Sequence, residues 1–194
     1  MIYDSAIVEK VSDALIRASS SLTADHKFAL EKAIAAESNE NAKWALEQIL
    51  LNSVTAEKQR SPLCDDTGIP HLVLDLGKNQ IVSGKLIDSI YEGVRQGLIQ
   101  LPGRPMAVEG DEIARLDQSA GLNADPGAVE PAPLLIRRIN EDVLKLHVLM
   151  LGGGPAIRGM TYRVFHKHSV ENIIDEIVNR AIEGTGLLGC TPST

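Results

Sequence analysis

Aromatic residues are scarce in this chain: 3% of 194 positions, with one tryptophan, three tyrosines and two phenylalanines. Its interior must be mainly aliphatic, and the stacking platforms that hold single-stranded nucleic acids are not expected. Basic charge is also in deficit, since 19 lysines and arginines face 26 acids and leave a net charge of −7. A general nucleic-acid binder needs a basic surface or stripe, so that class is set aside, although single arginines can still hold a small anion. No apolar run approaches the roughly 20 residues that span a bilayer. The N-terminal Met1 to Ser5 lacks the basic-then-apolar signature of a secretory leader. The chain reads as cytoplasmic and soluble, with no membrane partner. Two cysteines could form one disulfide, but a 44% hydrophobic fraction needs no covalent staple. In a reducing compartment those thiols suit metal binding or catalysis better.

What is present has clear periodicity. The length fits a single domain over residues 1–194. Ile7, Val8, Val11, Leu15 and Ile16 share one helical face, Thr23 can cap a second helix carrying Phe28 and Leu30, and a third from Asn39 is expected to turn Trp44, Ala45, Ile49 and Leu50 inward. Residues 71–76 read as a strand, and residues 84–101 as a helix ended by Pro102. Residues 133–139 and 143–151 read as two strands joined by a polar turn, a hairpin. Ser169 can cap a final helix to about Ile182, with Ile173, Ile174, Ile177 and Val178 on its apolar side. The expected fold class is α+β: N-terminal helices, then a mixed, largely antiparallel sheet covered by helices. Residues 102–132 lack periodicity and are too long for an idle connector, which suggests a functional segment.

Chemistry concentrates in the loop Ser61 to Pro70, where Cys64, Asp65 and Asp66 sit between prolines and a glycine. Cys64 can offer a thiolate, and the aspartates can bind a cation or move a proton. The bland alternative is a small buried cysteine after a turn, with the aspartates as caps. The second cysteine, Cys190, occupies a similar Gly/Pro-marked turn. No CxxC or HxxxH pair accompanies them, so a zinc or redox site built on Cys64 and Cys190 has little support. Gly152, Gly153 and Gly154 follow an apolar strand and can admit an anion to the backbone, or simply make a tight strand exit. Arg104 and Arg158 could each hold a carboxylate or lie in solvent. His166 and His168 alternate as on a strand, His71 follows the cysteine loop, and His26 and His147 read as structural.

Taken in order, Pro62 to Gly68, Gly103 to Val108, Gly152 to Gly154 and Gly189 to Pro192 resemble the class I, iron-sulfur fumarate hydratase and L-tartrate dehydratase alpha-subunit family, from about residue 5 onward. The resemblance implies the N-terminal part of a hydro-lyase that reversibly dehydrates a small 2-hydroxy dicarboxylic acid. It implies a 4Fe-4S cluster with Cys64 and Cys190 as metal ligands, Asp66 as a catalytic group, and Asp65, Arg104 and Gly153 at the dicarboxylate substrate. Asp65 stands where the family usually has glutamine, and Met106 where it has asparagine. The family's third cysteine lies beyond Thr194, so a partner subunit or further segment is expected to supply it together with the catalytic base. Self-association into a homo-oligomer is also expected, through apolar surface left uncovered. The alternative is a non-catalytic binding or regulatory module that keeps the fold and has lost the cluster.

Overall fold

Asp4 starts the first helix: its carboxylate accepts from the amides of Ala6 and Ile7, satisfying two donors that a helix start leaves open. This helix, α1 (Ser5–Ser20), buries Val8, Val11, Leu15 and Ile16, the stripe their spacing predicts. The protein is seen in a computed structural model that describes residues 3–64, 68–101, 107, 109, 123–152, 163–165 and 167–187. After α1 come α2 (Ala24–Ala36), α3 (Glu40–Gln59), β1 (Ile69–Leu76), α4 (Gly84–Gln100), β2 (Leu135–Arg138), β3 (Leu144–Leu151) and α5 (Val170–Leu187). The class is α+β. The chain divides into two compact units, Met1–Gly152 and Gly153–Thr194; the first carries α1 to α4 and the sheet, the second α5.

The core of the first unit forms where α1 and α4 meet one face of the sheet. Leu15, Leu72, Leu74, Ile90, Val94 and Leu101 are almost fully removed from water there. Full burial of one such side chain contributes about 1.5–3 kcal/mol. The two helices approach closely because α4 presents glycine at the contact. A Cβ on Gly93 would stand 2.6 Å from the Val11 Cβ and 2.8 Å from the Val8 carbonyl oxygen. Ser89, fully buried on α4, fastens the same contact: its hydroxyl accepts from the Asp4 amide at 2.9 Å and donates to the Lys85 carbonyl at 2.7 Å.

The next two helices differ from expectation in what they bury. Asn39 does cap α3, accepting from the amides of Asn41 and Ala42. Trp44 and Ala45 face solvent instead of turning inward, and the buried residues of α3 are Ser53 and Ala56. The fully buried positions of α3 both lie in its C-terminal half, and Ile49 and Leu50 are half-buried. Phe28 of α2 is exposed like Trp44.

The sheet is mixed, in the order β2-β1-β3. β1 pairs parallel with β2, Val73 to Leu76 against Leu135 to Arg138, and antiparallel with β3 over all eight of its residues. The hairpin expected between residues 133–139 and 143–151 therefore does not form, because β1 lies between them. Instead the turn at residues 140–142 crosses the end of β1. Ile139 donates to the Leu76 carbonyl and Gly77 to that of Val143. Glycine is needed at 77, since a Cβ there would lie 2.5 Å from the Glu141 carbonyl oxygen. Asp142 holds this crossing by accepting from Asn79 and Gln80 side chains.

In the second unit, Ser169 caps α5 by accepting from the Asn172 amide at 3.3 Å. Lys167 and His168 have φ of 48° and 54°, so a left-handed turn stands where alternation suggested a strand; His166 lies outside the described residues.

Candidate functional site

The loop that carries Cys64 is anchored from both sides. At the end of α3, Arg60 adopts the left-handed conformation (φ 53°, ψ 38°), and the amide of Ser61 returns to the Ala56 carbonyl. The Arg60 guanidinium reaches Asp13 of α1 at 2.7 Å. One turn further, Leu63 donates its amide to the Ser19 carbonyl at 2.9 Å, while its own carbonyl accepts from the Asn52 side chain at 3.0 Å. The chain is thus fixed to α1 and α3 immediately before the cysteine. Cys64 itself is exposed and unpaired, which rules out the buried, inert reading.

The loop re-enters the described structure at Gly68, where the backbone decides its path. Gly68 has φ +82°, and a Cβ there would lie 2.2 Å from the Leu151 carbonyl oxygen and 2.6 Å from the Gly152 nitrogen. The C-terminal edge of the cysteine loop therefore rests on the first residue of the triple glycine. These two segments are 84 positions apart in sequence, and β1 pairing with β3 from Ile69 to Leu151 brings them together. The flanks of the long segment 102–132 are also fixed. Leu101 is buried, and Ala107 packs against the core and accepts from the Asn123 amide at 2.8 Å.

Asp65, Asp66, Arg104, Gly153, Arg158 and Cys190 lie outside the described residues, as do Gly154 and Gly189. Among the described residues no three of histidine, cysteine, aspartate and glutamate gather to hold a metal ion. An exposed thiol in an anchored loop is the donor type that an iron-sulfur cluster takes. In number, however, the chain's two cysteines fall one short of the three that such a cluster would take in the family it resembles. The chain's own thiols do not complete that group.

A charge network that sequence reading missed lies on the sheet. Asp75 of β1 is buried, and its carboxylate accepts two hydrogen bonds from Arg137 of β2, from Nε at 2.7 Å and from an η nitrogen at 3.0 Å. His147 of β3 donates through Nε2 to Oδ2, the oxygen that the Arg137 η nitrogen also reaches, at 2.8 Å. Hydrogen bonds from Arg137 and then His147 hold the Asp75 carboxyl well below the usual carboxylate range, outweighing the opposing effect of burial. The reading of His147 as structural agrees with this role. Residues 62 and 72 positions apart leave no local signal of their pairing. His71 sits on the same face, in register with Leu149.

One surface cleft borders α1 and α4, lined by Tyr3, Glu9, Asp13, Arg60, Glu92 and Gln96 among others. Arg95 and Gln96 keep the Glu92 carboxyl below its ordinary range. Three acids against one arginine repel a dicarboxylate, so this cleft is a poor site for one.

Comparison with known proteins places the chain. The family model described as fumarate hydratase (Fumerase) matches residues 8–194. The chain belongs to the fumarate hydratase family. Within it, a protein of Methanocaldococcus jannaschii provisionally named L(+)-tartrate dehydratase subunit alpha is 37% identical over 121 residues, covering 59% of this chain and 42% of the relative. The chain thus spans less than half the length of that relative. Among the described residues no helix is long and apolar enough to cross a membrane.

Proposed function

We propose that this fumarate hydratase family chain is the cysteine-bearing N-terminal part of an iron-sulfur hydro-lyase. Its reaction would be the reversible dehydration of a small 2-hydroxy dicarboxylic acid, of the fumarate/malate or tartrate type. The observation that carries this reading is the family match across residues 8–194, which includes all four motifs. The contact of Gly68 with Leu151 and Gly152 supports it, because it sets the cysteine loop beside the start of the glycine turn.

In this reading residues 1–194 act as one N-terminal domain. Cys64 and Cys190 would hold a 4Fe-4S cluster through two thiolates, with a third supplied from outside these residues. When bound, the cluster would supply Lewis-acid chemistry. Arg104 pairs with a substrate carboxylate through its planar guanidinium. Asp65 and the Gly153 backbone orient the substrate, while Asp66 takes part in proton transfer. A partner subunit, of the kind implied by the word alpha in the relative's name, supplies the remaining ligand and base.

A second reading is a binding or regulatory module that keeps the fold without a cluster. Anaerobic reconstitution with iron and sulfide, with and without the product of the adjacent gene, separates the readings. A cluster absorption band in the mixture supports the enzyme. Its absence under both conditions supports the module, and one zinc per chain on metal analysis would point to a Cys64–Cys190 zinc site.

A further inference from the structure

After α3 the chain turns back along the helix it has just left. Asn52 and Ala56 lie one turn apart on α3, and each takes one bond with the returning segment. The Ala56 carbonyl accepts from the Ser61 amide, and the Asn52 side-chain amide donates to the Leu63 carbonyl at 3.0 Å. Pro62, between them, has no amide hydrogen to satisfy and a fixed φ. The Leu63 amide goes to the Ser19 carbonyl of α1 at 2.9 Å. Of these three bonds, two run from main chain to main chain. Asn52 supplies the one that depends on a side chain.

That bond acts on Cys64 through covalent geometry. The Leu63 carbonyl oxygen shares one rigid peptide plane with the nitrogen and Cα of Cys64. Ser19 holds the amide of Leu63 and Asn52 holds its carbonyl, so the plane is not free to turn about the bond between them. The Cα that carries the thiol is fixed with it. Because the acceptor is a carbonyl, only the NH2 side of the Asn52 amide can face it. Asparagine is a poor residue for a helix interior, and Asn52 is exposed and outside the core cluster, so neither helix propensity nor packing accounts for it.

We propose that Asn52 is a positioning residue: it sets the peptide plane of Cys64, so that the exposed thiol is presented from a fixed backbone. The proposal rests on the reading of Cys64 as the thiol of the site and adds a residue of α3 to that site. Two measurements keep the positioning role and the enzymatic reading apart.

The first is the order parameter of the Cys64 amide, from amide nitrogen relaxation of the full chain in reductant, which reads the backbone with no cluster present. Wild type is expected at about 0.85 and Asn52→Asp, of the same shape but with no donor, below about 0.6. Asn52→Gln keeps the donor and should recover part of the difference. If Asn52→Asp does not fold, Asn52→Ala takes its place. The control is Asn39→Ala, which loosens α3 at its first turn and leaves the Leu63 carbonyl its donor. A merely structural role for Asn52 would make the two variants alike. The second measurement is the iron retained per complex after anaerobic reconstitution with the adjacent gene's product. It should fall about fivefold in Asn52→Asp, the worth of one hydrogen bond, and hold in Asn39→Ala. An unchanged order parameter in Asn52→Asp, an equal drop in Asn39→Ala, or equal iron in Asn52→Asp and an iron-loaded wild type would each overturn the proposal. A wild type that retains no iron contradicts the enzymatic reading instead, and Asn52 then stands or falls on the order parameter.

Discussion

Gly68 and Leu151 are in backbone contact: a Cβ on the glycine would stand 2.2 Å from the leucine carbonyl oxygen. No flexible side chain can yield there, and φ of +82° excludes ordinary L-residues independently. Gly68→Ala is therefore expected to destabilise the first unit by roughly 3 kcal/mol, combining backbone strain and overpacking. Chemical denaturation checks this; a loss under about 0.5 kcal/mol, the range of ordinary surface changes, would refute the contact.

The α1–α4 contact predicts a graded response at two glycines one helical turn apart. Alanine gains about 1 kcal/mol of helix propensity at either position. At Gly97 the added Cβ meets Leu15 and Ser12 at 3.2 Å, a tight fit that small shifts can absorb. At Gly93 it meets Val11 at 2.6 Å and the Val8 carbonyl at 2.8 Å. Gly93→Ala should cost about 1–3 kcal/mol, and Gly97→Ala clearly less. Paired thermal melts would reveal the order, and equal midpoints would contradict the packing.

Much of this packing was legible in the sequence. The faces of α1 and α4, the latter through Ile90, Val94 and Leu98 at helical spacing, follow from spacing alone, because a 3.6-residue period fixes which side chains meet the core. Ser169 and Asn39 also announced their helices. Strand order was not legible: Asp142 and its neighbours look like a hairpin turn, yet the turn passes over Gly77 and leaves β1 in the middle. Trp44 is exposed although its hydrophobicity suggests burial, and the fully buried positions of α3 are the small residues Ser53 and Ala56. For the candidate site, Cys64 stands out by its setting, and the structure adds that it is exposed at the end of an anchored segment. The Asp75, Arg137 and His147 network was missed because it depends on which strands become neighbours.

Asp75 makes stability depend on acid. Its carboxyl is held below the ordinary value in the folded chain by Arg137 and His147, so the unfolded chain binds the proton more readily. The network's contribution is present above the unfolded value of about 3.9 and is lost as pH falls below it. Asp75→Asn should destabilise the protein at neutral pH, with the gap to wild type closing below about pH 4. Urea midpoints across pH would show it; a constant gap from pH 7 to pH 3 would be inconsistent with an ionised Asp75.

Asn39 offers a local check on the second helical pair. Its side chain accepts from two amides at the start of α3. Asn39→Ala is expected to cost about 1 kcal/mol, with Asn39→Ser close to wild type. Hydrogen exchange should place the change in the first turn of α3, and faster exchange spread through the sheet would argue against a simple cap.

The central claim is that Cys64 serves a hydro-lyase acting on a small dicarboxylic acid. Its most direct test is dicarboxylate turnover, measured anaerobically on this chain co-purified with the adjacent gene's product and reconstituted with iron and sulfide. Wild type is compared with Cys64→Ala under identical conditions. Cys64 is exposed, so the substitution should leave folding intact. The account predicts interconversion of fumarate and malate, or of tartrate and oxaloacetate, by wild type and its abolition in Cys64→Ala. Equal turnover by the two proteins, or none by a folded, reconstituted wild type, would contradict it.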